Sequence, residues 1–380
     1  MRVTGIRAWG LALLTVLLAG LGVSGCGFGN NGNGCSVVNT PGPVPAAGSE
    51  FVFVPNAECA SGAANNVMSV LVLSSDGTIN LGPVPVVQTG SEPVWATVDP
   101  LNRFVYTANF AGNSVSGFSL DTVTGAVASI SGSPFIAGTG PGALAVTPSG
   151  DFAYVANDGS NNVSGFSVGG SGALTAVAGS PFPAGTLPQQ GIAATNSFVY
   201  VSNEGTSNVS AYSINSGTGT LTQLGTSPYA TGGAGPVSLA MNPAGTYVFT
   251  ANSNSNNVSV LAVNGDGSLT PVTGSPFAAG NSPQYLTTDR TGNYLYVVNV
   301  NDNTVEAYSI AANGALTVIN LYPTGLGPEG LAVDAANLFL VVADCGDGTV
   351  AGYSINGGGS LTALGTLSLG GCPQAVAMSH

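Results

Sequence analysis

Residues 141–185 read PGALAVTPSGDFAYVANDGSNNVSGFSVGGSGALTAVAGSPFPAG. This stretch contains four short apolar runs, ALAV, FAYVAN, VSGFSV and LTAVAG, and each is separated from the next by Gly, Pro, Ser, Asn or Asp. Short apolar runs bounded by turn-forming residues are typical of β-strands joined by tight turns. One copy of the stretch therefore predicts one antiparallel sheet of four strands.

The same pattern recurs along the chain, and the residue that ends the second run marks each copy. These marker residues lie 45 to 49 residues apart and are Asn109, Asn157, Asn203, Asn252, Asn299 and Asp344. Four strands at a fixed period of this length, with almost no helical pattern, are typical of a β-propeller. We interpret the marker asparagines as structural, because an Asn at the end of a strand bonds to its own backbone and tolerates left-handed turn geometry.

The two ends of the repeat region complete one another. Residues 51–56, FVFVPN, form a second strand without a first, whereas residues 373–380, PQAVAMSH, form a first strand without a second. Pairing them completes a seventh blade and leaves no open edge. We therefore predict an all-β, seven-bladed β-propeller over residues 51–380, closed by pairing the C-terminal strand with the N-terminal three strands.

The N-terminal segment has the pattern of an export signal. Residues 1–26 carry two arginines, then the apolar run AWGLALLTVLLAGLGV, then small residues before Cys26. The VSGC sequence resembles a bacterial lipobox, in which the cysteine is lipidated and becomes the mature N-terminus; the alternative is an uncleaved membrane helix. Residues 27–50 are rich in Gly, Asn and Pro, and we interpret them as a flexible linker.

The charge balance restricts the partners. The chain has 17 carboxylates, and beyond Cys26 its only cations are Arg103 and Arg290. Nucleic acids and anionic lipid surfaces require clustered cations, so we predict no nucleic-acid partner. We predict no metal and no cofactor, because no CxxC pair occurs and the only histidine is the terminal His380.

Four cysteines follow Cys26, and an even number in an exported chain favours disulfides. Cys59 and Cys345 are predicted in turns between second and third strands, and Cys372 in a loop between blades on the same face. We favour a bond between Cys59 and Cys372, which would fasten the closing blade, and the pairing of Cys345 with Cys372 is the nearest alternative.

Repeats of the form YVAN, NVSGFSV and GALT resemble the YVTN class of β-propeller repeat and the seven-bladed lactonase family, which includes bacterial 6-phosphogluconolactonase-like proteins. The resemblance covers residues 51–380 and implies opening of a sugar lactone, with cationic and histidine side chains holding an anionic substrate in the central cleft. This chain departs from that pattern. Arg103 and Arg290 fall in first-to-second-strand turns, on the face opposite the loops between blades, and His380 is the last residue.

Candidate ligand residues follow the proline that begins each innermost strand. That position holds polar residues in three consecutive blades, Gln284, Glu329 and Gln374. We predict that they lie at the mouth of the central channel and offer hydrogen bonds to an uncharged polar ligand; the alternatives are that they offer oxygens to a cation or line a water-filled channel. Glu329 is the sole acidic residue at this position and hence the candidate general base.

These features favour a lipid-anchored, extracytoplasmic module of the cell envelope, a monomer that binds or scaffolds an envelope protein or a glycan. Rigid propellers present broad surfaces suited to such partners. The alternative is a lactonase-family hydrolase that opens a sugar lactone, a carboxylic ester.

Overall fold

The computed structural model describes residues 39–42, 45–46, 49–57 and 66–380. The predicted lipidation site Cys26 and the cysteines Cys35 and Cys59 lie outside these ranges. Every strand or helix assigned within them is a β-strand. In the same ranges no helix meets the length and apolarity needed to cross a membrane.

The strands form seven sheets, numbered here as blades 1 to 7. Blade 1 contains β1 (Glu50–Ala57), β2 (Val67–Leu73) and β3 (Ile79–Gln88). Blade 2 contains β4 (Pro93–Val98), β5 (Phe104–Asn109), β6 (Ser114–Leu120), β7 (Val127–Ser129) and β8 (Phe135–Ile136). Blade 3 contains β9 (Pro141–Val146), β10 (Phe152–Asn157), β11 (Asn162–Val168), β12 (Leu174–Ala176) and β13 (Phe182–Pro183). Blade 4 contains β14 (Ile192–Ala194), β15 (Phe198–Asn203), β16 (Asn208–Ile214), β17 (Leu221–Gln223) and β18 (Tyr229–Ala230).

The remaining blades follow the same order. Blade 5 contains β19 (Pro236–Met241), β20 (Tyr247–Asn252), β21 (Asn257–Val263), β22 (Leu269–Pro271) and β23 (Phe277–Ala278). Blade 6 contains β24 (Pro283–Thr288), β25 (Tyr294–Asn299), β26 (Thr304–Ile310) and β27 (Leu316–Pro323). Blade 7 contains β28 (Pro328–Val333), β29 (Phe339–Asp344), β30 (Thr349–Ile355) and β31 (Leu361–Ser368).

The last two strands close the ring. β32 (Cys372–Pro373) and β33 (Ala377–Met378) both pair antiparallel with β1, in the registers Asn56 to Pro373 and Phe53 to Ala377. They form the innermost strand of blade 1, so the C-terminal segment is held by the N-terminal strands. The predicted seven-bladed, closed, all-β propeller is confirmed.

Neighbouring blades are fastened through buried tyrosines of their second strands. The Tyr106 hydroxyl donates to the Gly172 carbonyl at 2.8 Å, and Tyr154 and Tyr200 make the same bond to Gly219 and Gly267 in the next blade. Each phenol thus satisfies a carbonyl in the turn between third and fourth strands of its neighbour. These bonds and the apolar packing between the sheets make the ring a rigid support for its turns.

The marker asparagines have a structural role, but the bonds differ from those expected. Asn157 is fully buried, and its Nδ2 donates to Asn162 Oδ1 at 2.8 Å and to Ser164 Oγ at 2.9 Å in the third strand. Its Oδ1 accepts a bond from Gly138 N in the loop before the blade. The left-handed residue of this turn is Asn161, four positions later. The asparagine therefore joins strand, turn and loop.

Candidate carboxylate site on the upper face

The turns and loops emerge on two faces. We call the face that carries the second-to-third-strand turns, such as residues 158–161, and the loops between blades the upper face. The face that carries the first-to-second-strand turns, such as residues 147–151, is the lower face. The innermost strands line the central channel between these faces.

Two acidic residues follow the marker asparagines of blades 3 and 4 on the upper face. Asp158 N donates to the Gly140 carbonyl at 2.8 Å, and Glu204 N donates to the Leu187 carbonyl at 2.9 Å. The carbonyl in each pair belongs to the loop before the same blade. Because the backbone of each acidic residue is tied to that loop, the two side chains start from equivalent, fixed positions on adjacent blades.

The two carboxylates are shielded from solvent to different degrees, and both are incompletely bonded. Asp158 is 3% exposed and Glu204 is half-buried. One oxygen of each, Asp158 Oδ1 and Glu204 Oε2, is shielded from solvent and has no hydrogen-bond partner. Burial raises the pKa of Asp158, and burial together with the charge of Asp158 raises the pKa of Glu204. Buried acids with raised pKa values are candidates for proton transfer.

A cavity of about 470 Å³ opens beside Asp158 on this face. It lies between the turns of blades 2 and 3 and the loops that precede blades 3 and 4. Its lining residues are Phe110, Ala111, Asn113, Thr139, Gly140, Asp158, Gly159, Asn161 and Leu187. The buried carboxylate is the only charged side chain among them, so the cavity offers a small ligand one acid in a largely apolar wall.

The predicted channel residues occupy three successive innermost strands. Glu329 in β28 is 4% exposed, and Gln284 in β24 has a buried Oε1 without a hydrogen-bond partner. Gln374, between β32 and β33, donates from Nε2 to Cys372 Sγ at 3.0 Å. None of the three lines the cavity beside Asp158. Their binding role, and that of Glu329 as a general base, stays a prediction.

An aromatic pair, which sequence reasoning missed, meets across the channel. The rings of Trp95 in blade 2 and Tyr285 in blade 6 lie 5.2 Å apart between centroids. The Trp95 indole N–H donates to the Leu144 carbonyl at 3.0 Å, which fixes the ring. Each residue lies one position after the predicted channel-mouth position of its strand. The pair therefore brings the innermost strands of blades 2 and 6 into side-chain contact.

Both arginines of the described chain lie on the lower face, as the turn positions predicted. Arg103 bonds to Asp99 and to the Gly150 carbonyl. Arg290 Nη2 lies 3.0 Å from His380 Nδ1. Burial and the Arg290 charge lower the pKa of His380 to about 4, which keeps the imidazole neutral at pH 7. The upper-face carboxylates therefore have no arginine near them.

A second cavity, of about 570 Å³, lies on the lower face. Its position follows from a departure in one repeat. In blade 4 the turn bonded from Thr195 N to the Phe198 carbonyl encloses two residues, whereas the equivalent turn in blade 3, from Thr147 to Phe152, encloses four. No charged residue lines this cavity. The shortened repeat was visible in the sequence, but its effect on shape was not.

The disulfide differs from the favoured prediction. Cys372 is bonded to Cys345, the alternative pairing, rather than to Cys59, which lies outside the described residues. Cys345 begins the upper-face turn of blade 7, where its N–H donates to the Gly327 carbonyl, and Cys372 begins the closing strand beside it. The bond fastens blade 7 to blade 1, because the closing strand runs directly past that turn.

Solved structures share the fold over nearly the whole propeller. The periplasmic gluconolactonase PpgL of Pseudomonas aeruginosa is 18% identical with a TM-score of 0.75, and the match covers 87% of this chain and 99% of that one. A putative 6-phosphogluconolactonase of Bacteroides fragilis is 19% identical with a TM-score of 0.74, and the match covers 89% and 100%. At these identities the likeness concerns the fold. No curated protein sequence matches the chain.

The family comparison extends this likeness to the sequence itself. The model of the family described as "Lactonase, 7-bladed beta-propeller" matches residues 60–276 and 264–371, which is most of the chain. The matched residues include the Asp158 and Glu204 turns and Cys345, and they end one residue before Cys372. This chain belongs to the seven-bladed β-propeller lactonase family.

Proposed function

We propose that the protein is a lactone hydrolase that opens an uncharged lactone at the upper face, with Asp158 and Glu204 as its acid–base pair. The observation that carries this proposal is the pair itself, two acids on adjacent blades with raised pKa values and unpartnered, buried oxygens. Family membership favours hydrolysis over the pure binding module that the repeat and the missing catalytic groups suggested.

The reaction adds one water to one ester and needs only proton transfers. Ionised Glu204 takes a proton from water while the water oxygen attacks the lactone carbonyl carbon. The tetrahedral intermediate then collapses, the bond from this carbon to the ring oxygen breaks, and Glu204 gives the proton that it took from water to that oxygen. The product is a hydroxy acid, and Glu204 is ionised again. Asp158 stays ionised: its charge raises the pKa of Glu204, and its unpartnered Oδ1 accepts a hydrogen bond from the attacking water.

The charge of the site argues for an uncharged substrate. The nearest groups are carboxylates, and the two arginines of the described chain lie on the opposite face. A phosphate on the substrate would meet repulsion without a compensating cation. A neutral sugar or alkyl lactone carries no charge for these carboxylates to repel.

Hydrolysis of a lactone panel by the full-length protein tests this function. We expect turnover of glucono-1,5-lactone and γ-butyrolactone well above the spontaneous rate, and at least about 10-fold lower kcat/KM for the 6-phosphate of gluconolactone. Asp302→Asn, which removes a partly exposed upper-face carboxylate in blade 6, is the matched control and should leave the rates unchanged.

Two results would redirect the proposal. Spontaneous rates on every lactone would favour the binding module for an envelope protein or glycan. Loss of turnover in Glu329→Gln, with Asp158 and Glu204 variants unaffected, would place the chemistry at the channel residues Gln284, Glu329 and Gln374 instead.

The location in the cell follows from the N-terminal sequence alone. We expect Cys26→Ala to move the protein from the membrane fraction to the soluble fraction, because the acyl chains that would attach to this cysteine are lost. Cell fractionation with immunoblotting measures this shift, and Cys35→Ala serves as the control. Retention of Cys26→Ala in the membrane would support the uncleaved helix instead of a lipid anchor.

A further inference from the structure

The polar groups in the wall of the upper cavity are mostly committed to the protein. Asn113 Oδ1 accepts a bond from Gly140 N at 2.9 Å, and Asn161 Oδ1 accepts one from Leu187 N at 2.8 Å. Asp158 differs, because it is 97% buried and its Oδ1 has no partner. A buried acceptor without a partner points to a ligand that donates to it or exchanges a proton with it.

Leu187 departs from its repeat position in a way that shapes this cavity. In each of blades 2 to 7, one residue of the loop before the blade accepts, through its carbonyl, a hydrogen bond from the first N–H of the upper-face turn. Leu187 is this residue in blade 4. All six have φ between 54° and 66°, and they are Glu92, Gly140, Leu187, Gly235, Ser282 and Gly327. Glycine takes this conformation without strain, whereas a leucine is penalised by about 1–2 kcal/mol. Glu92 and Ser282 carry the same strain in two other blades, but Leu187 is the one large apolar side chain in the set, and it lines the cavity.

Phe110 supplies the opposite wall. It occupies in blade 2 the repeat position that Asp158 occupies in blade 3, and its ring is half-buried. A Cβ added to Gly140 would lie 3.2 Å from Phe110 Cε2, so the aromatic ring rests close to the Gly140 backbone. Phe110 and Leu187 therefore add partly exposed apolar surface to the cavity that Asp158 lines.

From this arrangement we infer that the substrate is a lactone with an apolar substituent, and that Phe110 and Leu187 determine this specificity. The inference rests on the proposed function, since Asp158 belongs to both sites. With the ester at Asp158, the substituent lies between the phenyl ring and the leucine. A cavity of about 470 Å³ is in the range of small-molecule sites.

The test compares γ-nonalactone, which carries a pentyl chain, with unsubstituted γ-butyrolactone. We expect kcat/KM of the full-length protein to be about 10- to 100-fold higher for γ-nonalactone, because the chain leaves water for the cavity. Phe110→Ala and Leu187→Gly should each raise KM for γ-nonalactone about 10-fold and lower by a similar factor the ratio of kcat/KM for γ-nonalactone to that for γ-butyrolactone.

The variants are chosen so that folding does not obscure the result. Leu187→Gly installs the residue that three other blades carry at this position and relieves a left-handed leucine. Ser282→Gly makes the same type of change in blade 6, away from the cavity, and is the matched control. It should leave both substrates unaffected.

Binding measured by calorimetry separates this inference from the proposed function. We expect γ-nonalactone to bind the Glu204→Gln protein, and Leu187→Gly in that background to weaken binding about 10-fold. Hydrolysis without preference for γ-nonalactone, or binding that Leu187→Gly does not weaken, overturns the inference on specificity but does not contradict the proposed lactone hydrolysis. Leucine-dependent binding without hydrolysis overturns the hydrolase and leaves the apolar site. Absence of both binding and hydrolysis overturns the inference as well.

Discussion

Glu204→Gln lowers kcat/KM for an uncharged lactone by about 10²- to 10⁴-fold if this glutamate is the base that activates water. The amide keeps the size of the side chain but takes no proton from the attacking water. Because the Oε2 atom of Glu204 has no hydrogen-bond partner in the protein, the substitution breaks no bond of that oxygen. Steady-state hydrolysis of γ-butyrolactone, corrected for the spontaneous rate, measures the effect.

The control for this loss is another buried glutamate. Glu306 Oε2 accepts bonds from Gly280 N and Asn299 Nδ2 in blade 6 and is distant in the ring from the acidic pair. Glu306→Gln should reduce stability without changing kcat per folded molecule. Equal losses of activity in the two variants would mean that both act through folding, and the catalytic assignment of Glu204 would then be wrong.

Asp344→Asn stabilises the protein by about 4 kcal/mol at pH 8 and by about 1 kcal/mol or less at pH 4.5. Asp344 takes the marker position that holds asparagine in the other blades and is fully buried. Burial raises its pKa from 3.8 to about 7. Above pH 7 the folded protein holds a buried charge. That destabilisation decreases as the pH falls below 7 and is absent below about 3, where both states are protonated.

Urea or thermal unfolding at the two pH values, on the variant and the wild type, measures this difference. The neighbouring strand in blade 7 has Ala351 where five other blades have a serine that accepts from the asparagine ending the second strand, as Ser164 does from Asn157. Asp344→Asn with Ala351→Ser restores that pair and should add about 1 kcal/mol. A stability difference between variant and wild type that does not change with pH would contradict the raised pKa of Asp344.

The fold was predictable because one repeat recurs along the chain. The period of the marker asparagines, the missing first strand before Phe51 and the missing second strand after Pro373 together required a closed ring. Strand boundaries follow from the same alternation of apolar runs and turn residues. Such information is local and repeated, so single departures in one copy do not disturb it.

The candidate site was less predictable because it depends on what surrounds each turn. In the sequence, Asp158 has the pattern of an ordinary Asp-Gly turn residue. Its burial by the loops of neighbouring blades cannot be predicted from the spacing of residues along the chain. A usable signal did exist, since the residue after the marker asparagine is acidic in two adjacent copies. The pairing of Cys345 with Cys372 likewise depended on which turn the closing strand passes, a distance that spacing does not encode.

The pH dependence of kcat/KM, measured for the wild type and for Asp158→Asn, tests the acid–base pair most directly. A carboxylate base is active when ionised, so activity falls as pH decreases through its pKa. We expect the wild-type midpoint above 4.5, because burial and the charge of Asp158 both raise the pKa of Glu204. In Asp158→Asn the residual activity should have a lower midpoint, since the neighbouring charge is gone. Identical midpoints in the two proteins, or a rate that rises only in proportion to the hydroxide concentration, would contradict the catalytic assignment of Asp158 and Glu204.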